Sequence, residues 1–303
     1  MKKKFIMFLV SVFLLLTFYG CSGNKELNIA SLKSSDGTAI FYDSVFCDEH
    51  AEEMTYGSID LSHLNCGYIG VKADSDKRLK FQLSLMGNET YTYDLPGDGS
   101  VNIFTFPLGD GMYTLKLREN TGGNEYGTCW TKEIEVQMDT VFEPFIRPNQ
   151  TVNYSKSSEC VKLAETLDNN AEDSISFVSD VYAYLCDNIT YDYDKAETVS
   201  SGYLPNPDET LRTGKGICYD YAALACAMLR SRDIPCQLIK GYFTDDCIYH
   251  AWNRLYIDGS GWLTVEIELS SDVWNRIDIT MASAGADSDE LVDGTLYTTR
   301  SVY

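Results

Sequence analysis

From residue 27 to about 140, apolar and polar residues alternate with a period of two. Leu79, Phe81, Leu83 and Leu85 alternate with polar neighbours in RLKFQLSLMG; Tyr113, Leu115 and Leu117 do so in MYTLKLREN, and Ile134 and Val136 in KEIEVQM. Successive side chains of a strand point to opposite faces, so this pattern predicts strands with one buried face. The stretches between them, GNET, LPGDGS, LGDG and NTGGNEYG, are rich in Gly, Asn and Asp and read as turns. Short strands punctuated this way predict an antiparallel sandwich over 21–141. This part pairs no nucleophile with a base and reads as a spacer or binding module.

The pattern then changes. FEPFIRPNQTVNY (142–154) carries two prolines and no period, which predicts an extended linker. Beyond it the period is helical. Ile175, Val178, Tyr182, Leu185 and Ile189 share one face behind Asp173-Ser174, a helix start, and a shorter helix over 158–168 turns Val161, Ala164 and Leu167 inward. Residues 189–216, with Pro205 and Pro207, read as a long loop. A further stripe, Ala222, Ala225, Cys226 and Leu229, predicts a buried helix beginning at Cys218, and IYHAWNRLYIDG reads as a strand that turns at Asp258-Gly259.

The first twenty residues, MKKKFIMFLVSVFLLLTFYG, join a basic start to an apolar run and precede Cys21, the pattern of a bacterial export signal. They resemble a lipoprotein signal, which implies a lipidated Cys21 and a chain exported and anchored to the outer face of the cell membrane. An uncleaved N-terminal anchor is the alternative. The net charge of −21 repels phosphate backbones and argues against nucleic-acid partners. Ten cysteines in an exported chain suggest disulfides, although their irregular spacing fixes no pairing and many read equally well as buried thiols. Cys47-Asp48-Glu49-His50 is a weak metal candidate that ordinary loop chemistry explains as well.

The chemistry gathers near GKGICYDYAALACAML. Gly214 and Gly216 permit a sharp turn, and Cys218 then opens a helix whose free N–H groups and dipole favour a thiolate and can hold an oxyanion. A structural cysteine at a helix start is the competing reading. A thiol nucleophile needs a base, and His250 is the one histidine after residue 63. Two acids could orient it, Glu266 and Asp278, each four residues after a tryptophan.

GKGICYDYAALACAMLRSRDIPCQLIKGY, YHAWNRLYIDG and WNRIDIT together resemble the three motifs of the transglutaminase-like superfamily over about 155–282. The resemblance implies an α+β fold: a papain-like transglutaminase core, helices packed on an antiparallel sheet, occupying 142–303 behind the all-β sandwich-like domain. It implies Cys218 as nucleophile, His250 as base and Asp278 as orienting acid, because Trp274, Asp278 and Thr280 meet the third motif where Trp262 and Glu266 meet half of it. Residues 260–273 then read as an insertion between two strands. The resemblance also implies an upstream oxyanion donor, for which Tyr191, Tyr193 and Tyr203 are candidates. The Asp192, Asp194, Glu197 cluster lacks the glycine and closing glutamate of a calcium loop, so no cofactor and no metal is expected. The implied activity is attack on peptide or carboxamide carbonyls, with peptidase or amidase action ahead of protein cross-linking. The substrate would be a protein or peptide, such as a cell-wall or surface protein. A surface binding protein that keeps the fold without turnover is the alternative of another class.

Overall fold

The computed structural model describes residues 39–243, 248–258, 261–268, 278–283 and 297–303, with backbone alone at 243, 248, 263–268, 278–283 and 297–298. The export signal and Cys21 lie outside the described residues, as do Cys247 and Trp274.

The alternating half forms two four-stranded antiparallel sheets. One has the order β1 (Ala51–Met54), β2 (Gly57–Asp60), β3 (Tyr68–Asp74), β6 (Asp98–Thr105); the other has β5 (Thr90–Leu95), β4 (Leu79–Leu85), β7 (Gly111–Gly122), β8 (Glu125–Val136). Leu79, Phe81 and Leu83 are buried, and Phe81 lies opposite Tyr93 on one side and Leu117 on the other. The Phe81 ring stacks 5.1 Å from Phe104 of the facing sheet, where the two inner faces interdigitate.

The expected linker is not a loose connection. Phe142 to Pro148 are buried, with a single 3₁₀ turn at Glu143–Phe145, so the segment is a strap wedged into the protein. Its rings supply the reason: Phe142 packs 4.5 Å from Tyr256 and 5.9 Å from Trp262, and Phe145 packs 6.0 Å from Trp262. Arg147 ties the strap down by donating to the Glu143 and Asp43 carbonyls at 3.1 and 3.0 Å and pairing with the Glu143 carboxylate.

The second half holds α1 (Glu159–Asn170), α2 (Ser174–Asn188) and α5 (Cys218–Arg230) against a five-stranded antiparallel sheet. Its order is β14 (Asp278–Ser283), β13 (Gly261–Glu268), β12 (Ile248–Ile257), β11 (Cys236–Phe243), β15 (Tyr297–Val302). Helix α2 starts as its sequence demands, with the Asp173 carboxylate accepting from the Ser176 N–H at 2.7 Å. Helix α5 is buried on every side from Asp220 to Arg230, which the one-sided stripe read from its sequence understated.

Two expectations need correction. The long loop at 189–216 contains two short helices, α3 (Tyr193–Thr198) and α4 (Pro207–Thr213), and a parallel two-residue pair, β9 (Thr190–Tyr191) with β10 (Lys215–Gly216). Helix α4 carries its own signals: an Asn206 cap accepting from the Glu209 N–H, proline in the first turn, and Gly214 at φ 63° just past the end. Residues 261–268 are not an insertion. They form β13, hydrogen-bonded to β12 on one side and β14 on the other.

Candidate active site

Cys218 is the first residue of α5, directly after the cap residue Ile217. Gly216 makes the approach to the helix possible, since a Cβ there would stand 2.7 Å from the Asp220 Cβ. The Asp220 carboxylate, at the third helical position, accepts from the Ile217 N–H at 2.9 Å. That is one half of a capping box; isoleucine has no polar side-chain atom to supply the other.

Strand β12 runs past the start of α5. Ala251, Asn253, Leu255 and Ile257 are buried, with Ala251, Leu255 and Ile257 in the same core as α5. Asn253 fixes the packing by donating to the Ala222 carbonyl at 3.0 Å and accepting from the Tyr182 hydroxyl at 3.0 Å. His250 lies one residue before Ala251, opposite Gly241 of β11, with its ring stacked 6.5 Å from that of Trp252. The backbone N–H of Ala251 comes near enough to the Cys218 thiol to pull its pKa down. Cys218 and His250, remote in sequence, thus stand on a helix and a strand that pack against each other.

The electrostatics differ from the expected low-pKa thiolate. Burial pushes the Cys218 thiol up, the Ala251 and Tyr219 N–H groups pull it down, the nearby Asp220 charge adds to the rise, and the net shift is upward. Burial also holds the His250 imidazole below its ordinary value of 6.5. At neutral pH the resting pair is therefore neutral thiol and neutral imidazole. The helix start assists the sulfur, but desolvation outweighs it.

Strand order separates the two acids, and not in the direction expected. Glu266 stands on β13, which pairs directly with β12 in the register Asn253 to Val265. Asp278 stands on β14, opposite Glu268 and on the far side of β13. Neighbouring strands lie about 4.8 Å apart, so Asp278 is about two spacings from the histidine strand, more than a hydrogen bond between short side chains spans. The side chains of both acids are outside the described residues.

Among the three tyrosines, Tyr191 is placed near Cys218 by the β9–β10 pair, next to which the Asp192 N–H bonds the Gly216 carbonyl at 2.9 Å. Burial, then the Cys218 charge, raises its phenol to about 12, so it stays a neutral donor. Tyr193 packs edge-on against Tyr191 at 4.9 Å. Tyr203 is engaged elsewhere, donating to Asp220 at 2.5 Å. Sequence reading missed Lys240, opposite Ala251 on β11. Burial lowers its amine to about 8, and it lies 4.7 and 4.4 Å from the ring centres of Tyr219 and Tyr303. Lysine on a strand gives no sequence signal, because only the packing of its neighbours desolvates it.

All eight cysteines among the described residues are free thiols. Cys226 and Cys236 lie 3.1 Å apart in the core. Cys47 meets His50 at 3.4 Å, and no cluster of three or more metal-ligating side chains occurs among the described residues.

A family model, the transglutaminase-like superfamily, matches residues 161–267. Residues 161–267 are thus similar to the transglutaminase-like superfamily. The matched segment contains Cys218, His250 and Glu266 and ends before Asp278. UPF0252 protein MJ1282 of Methanocaldococcus jannaschii is 31% identical over 99 residues, covering 29% of this chain and 28% of that protein. Kyphoscoliosis peptidase of Mus musculus is 24% identical over 196 residues, covering 59% of this chain and 27% of its own length. The chain thus spans little more than a quarter of these relatives. Among solved structures, red sea bream transglutaminase superposes with a TM-score of 0.29 at 12% identity, covering 66% of this chain and 47% of that one.

Proposed function

We propose that the protein is a cysteine-dependent acyl-transfer enzyme acting on peptide or carboxamide carbonyls, with Cys218 as nucleophile and His250 as base. The observation that carries this is Cys218 at the first position of α5, a helix that the hydrogen bond from Asn253 to the Ala222 carbonyl fastens to the strand bearing His250. A neutral thiol and a neutral imidazole suit proton transfer during attack: His250 would take the thiol proton as sulfur bonds to the carbonyl carbon. The oxyanion would be met by first-turn N–H groups of α5 and the Tyr191 phenol. As the tetrahedral adduct collapses, His250 returns the proton to the departing amine, leaving a thioester. Water then releases the acid, which is peptidase or amidase action; a lysine amine in place of water would make a cross-link.

The strand order favours Glu266 over Asp278 as the group that orients His250. Export by the N-terminal signal, anchoring through a lipidated Cys21, and a cell-wall or surface protein as substrate belong to the same proposal. The test is profiling of Cys218→Ala against the parent on a library of peptide amides and amine acceptors. Thioester trapping and product release that vanish in the variant support the reading. A variant that turns over like the parent overturns it, and product carrying an added amine assigns cross-linking over hydrolysis.

A further inference from the structure

One fully buried carboxylate near the nucleophile has no part in the chemistry above. Asp220 lies two residues after Cys218 and has no exposed surface. It accepts three hydrogen bonds: from the Ile217 N–H at 2.9 Å, the Tyr203 hydroxyl at 2.5 Å and the Lys195 ammonium at 2.7 Å. Lys195 also donates to the Tyr203 oxygen at 2.7 Å, which closes a ring of three side chains from α3, the following loop and α5. An anion at this place works against the nucleophile, because it opposes formation of a second negative charge on sulfur. Neither phenol nor amide carries a positive charge to cancel it. Lys195 does.

We propose that Lys195 is a positioning residue for the Cys218 nucleophile, compensating the buried Asp220 charge and clamping the 192–206 segment to the first turn of α5. The proposal rests on Cys218 being the nucleophile. The other titratable groups near enough to feel the thiol's charge are Tyr191 from β9 and Tyr249 from β12, with His250 next to Tyr249 on the same strand and Lys240 of β11 one ring away behind Tyr219. Among the described residues none of these is hydrogen-bonded to Asp220, and the Lys195 contact is the direct route by which a cation reaches that carboxylate. Two further observations fit a built device. The Lys195 side chain is 29% exposed while its partner is 0% exposed, so the cation reaches inward from the surface to the one buried anion of the helix start. The ammonium also sits 4.4 Å from the Tyr203 ring centre, a second site of attraction that holds it there.

The experiment is the pH dependence of Cys218 alkylation by iodoacetamide in the full chain, read by peptide mass spectrometry for the parent, Lys195→Met, Lys195→Arg and Tyr203→Phe. Removing the cation leaves the carboxylate uncompensated near the sulfur, so the midpoint of the profile for Lys195→Met should move up by about one unit, which is about tenfold slower alkylation on the acid side. Lys195→Arg should restore most of the rate. Tyr203→Phe, which keeps the cation, should shift the profile less than Lys195→Met. Lost thermal stability with an unmoved profile in Lys195→Met overturns the proposal and leaves a structural clamp. If Lys195→Met does not fold, Lys195→Gln takes its place, and a Lys195→Gln profile that overlays the parent's overturns the proposal. A parent Cys218 no more reactive than the buried thiols removes the proposed function itself, and this proposal with it.

Discussion

Arg230, the last residue of α5, is fully buried, and its guanidinium donates to three backbone carbonyls from three segments: Cys236 at 2.8 Å, Arg147 of the strap at 3.0 Å and Tyr303 at 2.6 Å. Arg230→Met keeps the length of the side chain and removes every donor. The Tyr303 carbonyl retains the Leu238 N–H at 2.9 Å, so the loss falls mainly on Arg147 and Cys236. A hydrogen bond from a charged group contributes about 1.5–3 kcal/mol, and relief from burying the cation offsets part of two such losses, so a net destabilisation of about 3 kcal/mol is expected. In a domain of this size that lowers the thermal midpoint by roughly 6 °C or more. The assay is thermal unfolding of parent and variant followed by circular dichroism, with urea unfolding to supply the free energy. A midpoint within about 2 °C of the parent would refute the view that this side chain fastens helix, strap and sheet together.

Other outcomes follow from the site. Because His250 is held below 6.5, the acid limb of kcat/KM should fall at a pH lower than an ordinary histidine gives. The linked stability has the same sign: it is present above 6.5, where folded and unfolded imidazoles are both neutral, and it is lost as pH drops through the depressed folded value. A pH-rate profile breaking above 6.5 would contradict this. Glu266→Gln should lower turnover far more than Asp278→Asn under identical conditions, on the order of 10⁴-fold if the acid acts as in the serine triad; the reverse ranking would mean β14 rather than β13 serves the histidine. Burial and the paired sulfur raise the Cys236 thiol, while the Cys236 contact and the Arg230 charge bring Cys226 down despite its burial. Both should nonetheless resist alkylation in the folded chain, since neither has exposed surface, and labelling as fast as Cys218 would show the core is open.

What the sequence made legible was whatever local periodicity or local chemistry encodes. Leu79, Phe81 and Leu83 announce a half-buried strand, Asp173 announces a helix start, and Gly216 before Cys218 announces a close approach to the start of α5. The strap was hidden because its two prolines read as linker punctuation, while its burial comes from rings of Tyr256 and Trp262 more than a hundred residues away in sequence. Helix α4 was hidden because seven residues are too few to display a 3.6-residue period, even though Asn206, Pro207 and Gly214 mark both ends. Strand β13 was misread when a better match to a motif at Trp274 drew the acid downstream; the order of strands in a sheet is not written in spacing.

The five-stranded sheet is assembled out of chain order. Strand β15 pairs with β11, not with β14 before it, and Tyr303 exchanges hydrogen bonds with Leu238 while its ring lies against Tyr91 and Tyr93 of the sandwich. Synthesis therefore delivers the thiol helix and the histidine strand well before the strand that flanks β11 and the residue that seams the two cores. Non-local pairing of this kind is slow to form. During translation the sandwich can close early while the half bearing Cys218 still lacks the strand that flanks β11. A ribosome stalled before that stretch would hold a finished sandwich beside a sheet one strand short.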